Sequence, residues 1–179
     1  MEYTIKELTL NDLTPNLLQH FTRYQEVINC WRYENGAWVL KHVPFVDDWD
    51  DAEKNEIITI DLTRCINGGG TVWGAFNERN HLIAFASLGG SPWGSAGQYL
   101  QLIQLHTSQE CRGKGIGKAL FAAVAHKARQ VGASKLYIST HSSEESQHFY
   151  LNIGCVDALE INTEITIHEP YDRQMEFVL

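Results

Sequence analysis

No apolar run in the 179 residues approaches the roughly 18 needed to cross a bilayer, and no basic-then-apolar leader opens the chain. Neither a membrane span nor export is therefore expected. Cysteine is scarce and scattered: Cys30, Cys65, Cys111 and Cys155 form no C-x-x-C pair. That excludes a zinc knuckle or a disulfide framework and points to free thiols in a reducing, cytoplasmic compartment. Positive charge is in deficit, with 14 Lys and Arg against 22 Asp and Glu and a net charge of −8. Such a balance argues against nucleic acid as a partner. What remains is 44% hydrophobic residues, enough for one ordinary core, so residues 1–179 are expected to form a single domain.

Against that acidic background one stretch concentrates cations, Cys111-Arg112-Gly113-Lys114-Gly115-Ile116-Gly117-Lys118. It follows an apolar run, Tyr99 to Leu105, that reads as a strand. It leads into an amphipathic run, Ile116 to Val131, that reads as a helix with Gly132 as its cap. Glycines at every second position let successive N–H groups aim at one point, and the helix start adds its own unpaired donors and dipole. The ligand class implied is a phosphate or pyrophosphate. The P-loop spacing fails, because Gly113 and Gly117 are too close and Ala119 replaces the hydroxyl. The dinucleotide fingerprint fails as well, because Leu136-Tyr137-Ile138-Ser139 stands where an acidic residue should hold a ribose.

Arg112-x-x-Gly115-x-Gly117 between a strand and a helix resembles the [QR]-x-x-G-x-[GA] acyl-CoA loop of the GNAT superfamily of N-acetyltransferases. Phe149-Tyr150-x-x-x-Gly154 resembles that family's later F-Y-x-x-x-G-F segment, one helix and one strand downstream. The resemblance covers residues 99–155. It implies an α/β fold with a central mixed, mostly antiparallel sheet of about six or seven strands, flanked by about four helices. A splayed strand pair would admit acetyl-CoA as cosubstrate. It further implies that the backbone of Leu105, His106 and Thr107 holds the acetyl and pantetheine groups, and that residues 112–118 hold the phosphates. Ser143 stands where many relatives carry a cofactor-binding asparagine. Tyr150 occupies the position of the acid that protonates the departing thiolate. Gln101 stands where some relatives place a carboxylate base, which leaves the base open among water, His106, His141 and an acid of residues 32–51.

The implied activity is direct transfer of acetyl to a primary amine, with a small molecule as acceptor. Two alternatives stay open: a protein N-acetyltransferase, and an acyl-CoA-binding sensor without catalysis, which the glutamine at position 101 suggests. A homodimer is the one assembly left open.

Elsewhere, Tyr3 to Leu8 reads as a strand. Thr14-Pro15 reads as a helix start, with Leu17, Leu18, Phe21 and Tyr24 at helical spacing and Val27, Ile28 and Trp31 as its extension. Residues 32–51 break into aromatics, His42 and acids, expected to wall the acceptor site and attract a cationic amine, or else, for Asp50 and Asp51, to cap the helical run Ala52 to Ile66. Thr71–Phe76 and Leu82–Ser87 read as a hairpin. Trp93, in a glycine-rich loop, could close over a ligand; Trp38 and Trp49 read equally as core or substrate contacts. Leu136–Thr140 reads as a strand and Ser142 or Ser143 as the cap of a short helix. Short strands follow near Val156–Leu159 and Gln174–Leu179.

Overall fold

The computed structural model describes residues 2–179. Its centre is the hairpin of β4 (Thr71–Asn77) and β5 (Leu82–Leu88), joined by a polar turn in which Asn77 Oδ1 accepts from the N–H groups of Arg79 and His81. All seven residues of β5 are buried, so this strand is apolar on both faces and needs cover on both. On one side lies α3 (Ile116–Gln130), which presents Ile116, Leu120, Phe121, Val124 and Ala128 to the sheet. On the other lies a helix that runs from α1 (Asp51–Glu56) through π-helical Ile57–Leu62 into α2 (Thr63–Asn67), burying Ile58 and Leu62. Asp50 starts that helix with a capping box, its carboxylate accepting the Glu53 N–H at 2.9 Å.

The sheet is completed by β1 (Tyr3–Leu8), β6 (Tyr99–Thr107), β7 (Lys135–Thr140), β8 (Val156–Asp157) and β9 (Arg173–Val178), in the order β1-β4-β5-β6-β7-β9-β8. Every neighbouring pair is antiparallel except β6 with β7. That parallel register covers only Tyr99–Leu102 against Lys135–Ile138. Beyond Leu102 a bulge at Ile103 bends β6, which stays with β5 to Thr107 and leaves β7. The resulting gap lies between the loop before α3 and α4 (Glu144–Asn152).

The helix expected from Thr14 is absent. Residues 14–20 make successive turns that drop Leu18 and Phe21 into the core. The chain then forms β2 (Tyr24–Glu34) and β3 (Ala37–Asp48), a separate two-stranded hairpin. Its turn is Asn35-Gly36, both at positive φ (52° and 84°), the backbone that matches the twist of a two-residue hairpin. The register shifts between Val27 and Asn29, where β3 carries one residue more than β2, with Val43 and Pro44 opposite Ile28. The region expected to be irregular, residues 32–51, is mostly the return strand of this hairpin. The hairpin docks on the domain where Trp31 N–H donates to Ser142 O at 2.8 Å. The short helix α5 (Thr163–His168) follows β8.

Candidate active site

The turn before α3 is shaped as the glycines require. Gly113 and Gly115 have φ of 72° and 79°, and a Cβ built on either would meet no protein atom within 4 Å. Packing therefore does not demand glycine at these two positions; the backbone conformation does, and so does access to the space above it. From Gly113 to Lys118, no N–H finds an acceptor among the described residues. Arg112 Nε donates to Thr107 O at 3.1 Å, which ties the turn to the end of β6. Lys114 Nζ donates to Glu110 O at 2.6 Å. Six donors in a row, a helix dipole and Lys118 fit a pyrophosphate, so these residues suit the cosubstrate.

A cavity of about 870 Å³ runs from this turn along the gap, lined by Leu105, Thr107, Arg112, Gly117, Phe149 and Tyr150 among others. The phase of β6 decides which backbone groups face it. Ser108 N–H donates to Ile83 O at 2.8 Å, so Thr107 and Ala84 are a non-hydrogen-bonded pair and His106 and Phe85 a hydrogen-bonded one. The peptide groups of Leu105 and Thr107 therefore face the gap. Those of His106 are spent on β5, and its side chain lies on the opposite face, against Trp49 at 4.7 Å and Phe85 at 5.3 Å between ring centres. His106, expected as a cofactor contact, instead turns its side chain into a second cavity.

This second cavity, of about 260 Å³, is lined by Arg23, Asp47, Trp49, Gln104, His106 and His141, with Gln25, Leu105, Thr107, Arg112, Ser146 and Tyr150 shared with the first. The two meet at the splay. Burial and the charges of Arg23 and Arg112 push the His106 imidazole down to about 3. Burial lowers His141 as well, and its Nδ1 accepts the Ser143 N–H at 3.2 Å, so the remaining proton sits on Nε2.

Tyr150 is half-buried between Phe149 and Phe121, at 5.0 and 6.3 Å between ring centres, and its Oη has no hydrogen-bond partner among the described residues. Gly154, at φ 97°, ends α4 with Cys155 N–H bonded to Tyr150 O at 3.0 Å. That explains why a glycine follows the tyrosine at this spacing. Burial raises the phenol above its ordinary range, so it is protonated throughout the neutral range.

One further expectation, Ser143, is corrected, and the open readings of Trp93, Trp38 and the acids of residues 47–51 are narrowed. Ser143 is fully buried as the N-cap of α4, its Oγ bonded to Ser146 Oγ at 2.9 Å, and lines neither cavity; Ser146 lines both. Trp93 stacks on Tyr99 and edge-on to Tyr137, at 4.7 and 4.6 Å between ring centres, and touches neither cavity; Trp38 packs under Arg173. Of the acids in residues 47–51, Asp50 and Asp51 serve the helix, as one of the two readings had it, and only Asp47 lines the second cavity. Asp47 is paired with Arg23, Asp50 caps a helix, and Asp51 sits in that helix's first turn. Sequence reasoning missed Arg23, Gln25 and Gln104, which carry no motif and reach the site only through β2 and the bulged end of β6.

A mixed α/β fold with a strand pair splayed over a glycine-rich anion cradle defines an acyl-CoA-dependent transferase. Residues 24–154 match the family described as Acetyltransferase (GNAT) family, and the chain belongs to it. No curated protein matches the chain. Among solved structures it is similar to a nourseothricin acetyltransferase (15% identity, TM-score 0.70, covering 99% of each chain). It also resembles the PaiA N-acetyltransferase of Thermoplasma acidophilum in complex with coenzyme A (15%, TM-score 0.60, 100% of each chain). A third is a GNAT family acetyltransferase of Elizabethkingia anophelis with acetyl-CoA bound (15%, TM-score 0.59, covering 99% of this chain and 98% of that one). Among the described residues no helix is long and apolar enough to cross a membrane, and no group of His, Cys, Asp and Glu could hold a metal.

Proposed function

We propose that the protein moves acetyl from acetyl-CoA directly to a primary amine of a small molecule. The observation that carries this is the meeting of the two cavities at the splay, where Leu105, Thr107 and Tyr150 border both. The N–H groups of residues 113–118 hold the phosphates, with Arg112, Lys114 and Lys118 supplying charge. Leu105 N–H and Thr107 N–H face the acyl group, and charge developing on its carbonyl oxygen is stabilised by a donor already aimed there. Tyr150 Oη donates its proton to the sulfur as the C–S bond breaks. The volume on the acceptor side suits a small amine better than a folded protein. Gln101, on which the sensor alternative rested, lines a different cavity beside α5, so its lack of a carboxylate says nothing about catalysis. Thiol release from acetyl-CoA with a panel of small amines tests the reading; binding of acetyl-CoA without thiol release from any amine overturns it.

Two further results are expected. His106 and His141 are held below the ordinary histidine range and the Tyr150 phenol above its own, so the acceptor's own ionisation is expected to dominate the pH profile. The amine attacks only when deprotonated, so kcat/KM should rise with pH, level off at the acceptor's own ammonium pKa, and show no falling limb below about pH 10. Profiles for two amines of different pKa should shift accordingly; a common limb independent of the amine would reveal an enzyme base. Cys111, which also lines the first cavity, is not a nucleophile. Burial and Glu110 push its thiol up, away from the reactive thiolate. Cys111→Ala should keep activity within about threefold of the parent, because less than about 1 kcal/mol of barrier is at stake; mass spectrometry finding acetyl on Cys111 would contradict this.

A further inference from the structure

The acceptor cavity carries the wrong charge for an ammonium ion. Its wall holds two guanidinium groups, Arg23 and Arg112, against the single carboxylate of Asp47, and that carboxylate is already paired with Arg23. Asp61, the next acid behind the wall, accepts from Gln104 Nε2 at 3.2 Å. Glu145 lines the first cavity, from where its carboxylate offsets the charge of Arg112 and acts on His141. Both histidines of the wall are uncharged, and the His141 tautomer fixed by Ser143 N–H presents an Nε2–H donor. Arg23 is itself only 9% exposed. Its terminal nitrogens bond Gln25 and Asp47, while its Nε–H has no acceptor. That Nε–H is sealed from solvent, so what Arg23 offers the cavity is its terminal guanidinium edge, shared with Gln25 and Asp47.

From this we infer that the acceptor is an amine that also bears a carboxylate, held by Arg23 with His141, its amino group directed to the splay. The inference rests on the acetyl-transfer reading and names its substrate class. It replaces attraction of a cation with recognition of an anion. The positive wall also favours the amine in its neutral, nucleophilic form, since a like charge nearby disfavours ammonium.

The test compares matched acceptors: small α-amino acids, their carboxamides, and the amines in which hydrogen replaces the carboxylate. Each is titrated calorimetrically into protein saturated with coenzyme A, so that binding is read without turnover, and thiol release is then measured with acetyl-CoA. Carboxylate-bearing members should bind roughly ten- to a hundredfold tighter than their amines, the factor expected of a charge-assisted contact. Arg23→Lys should retain part of that preference. The paired change Arg23→Gln with Asp47→Asn, which leaves no buried charge unpartnered, should abolish it. Equal binding across each matched set, tighter binding of the bare amines, or no binding by any carboxylate-bearing member overturns the inference. Thiol release with bare amines alone would then leave the transfer reading standing, whereas carboxylate-dependent binding without thiol release from any acceptor would remove the transfer reading and keep the subsite.

Discussion

Gly115→Val should leave a folded protein whose acetyl-CoA affinity is at least about a hundredfold weaker, the loss of two or more charge-assisted contacts at roughly tenfold or more each. The reasoning runs through two properties of this glycine. Its φ of 79° is one that a β-branched residue adopts at a cost of about 1–2 kcal/mol, and no protein atom lies within 4 Å of a Cβ there. The substitution therefore lowers stability modestly, by a few degrees in Tm, without a clash. Its branched side chain instead occupies the space into which the unpaired N–H groups of residues 113–118 point. Gly132→Val is the matched control. Gly132 has φ 91°, equally open surroundings, and a place at the far end of α3. It should lose similar stability and no affinity. Calorimetry showing unchanged acetyl-CoA binding in a folded Gly115→Val protein would remove the anion cradle from this turn.

Why the C-terminal half could be read from the sequence while residues 14–48 could not has a physical answer. β4, β5, β6, α3 and β7 are delimited by local signals, namely β-branched or aromatic runs ended by glycine turns and an apolar stripe at helical period. In residues 14–34 the local signals conflict. Thr14-Pro15 imitates a helix start, yet the turns that follow are fixed by burial of Leu18 and Phe21 against a helix some forty residues away. Asn35-Gly36, between two runs of β-branched and aromatic residues, was the available signal for the hairpin, and it is a strong one.

The site divides along the same line. Phosphate recognition is legible because one contiguous turn performs it with backbone groups, and glycine marks where backbone must be exposed. The acceptor side is assembled from β2, β3, β6 and β7, and the role of each side chain depends on what stands opposite. Asp47 reads as a cation trap until Arg23, just ahead of β2, is seen to take it. His106 reads as a cofactor contact until the Ser108–Ile83 bond sets the phase of β6. A single residue of phase moves a side chain from one face to the other, and no local pattern records where a bulge will fall.

Tyr150→Phe should lower kcat by roughly 10²–10⁴-fold, the range over which a general acid contributes, while acetyl-CoA affinity changes by less than about tenfold. The phenylalanine keeps the ring that packs against Phe149 and Phe121, and the lost hydroxyl bonds nothing in the described protein, so stability should be unchanged or slightly higher. This separates three cases. An acid at the sulfur predicts lost turnover with intact binding and folding. A purely structural tyrosine predicts altered Tm with kcat preserved in the folded fraction. A protein that only binds acyl-CoA predicts no turnover to lose. A further contrast comes from the leaving group, because a donor matters less when the departing thiolate is already stable. With an acetyl thioester of an aromatic thiol, whose pKa lies well below the ~8.5 of an ordinary thiol, the penalty of Tyr150→Phe should shrink. Thermal unfolding, binding and single-turnover rates on the same preparations decide the matter. A stable variant with near-parental kcat, measured where chemistry limits the rate, would exclude Tyr150 as the acid.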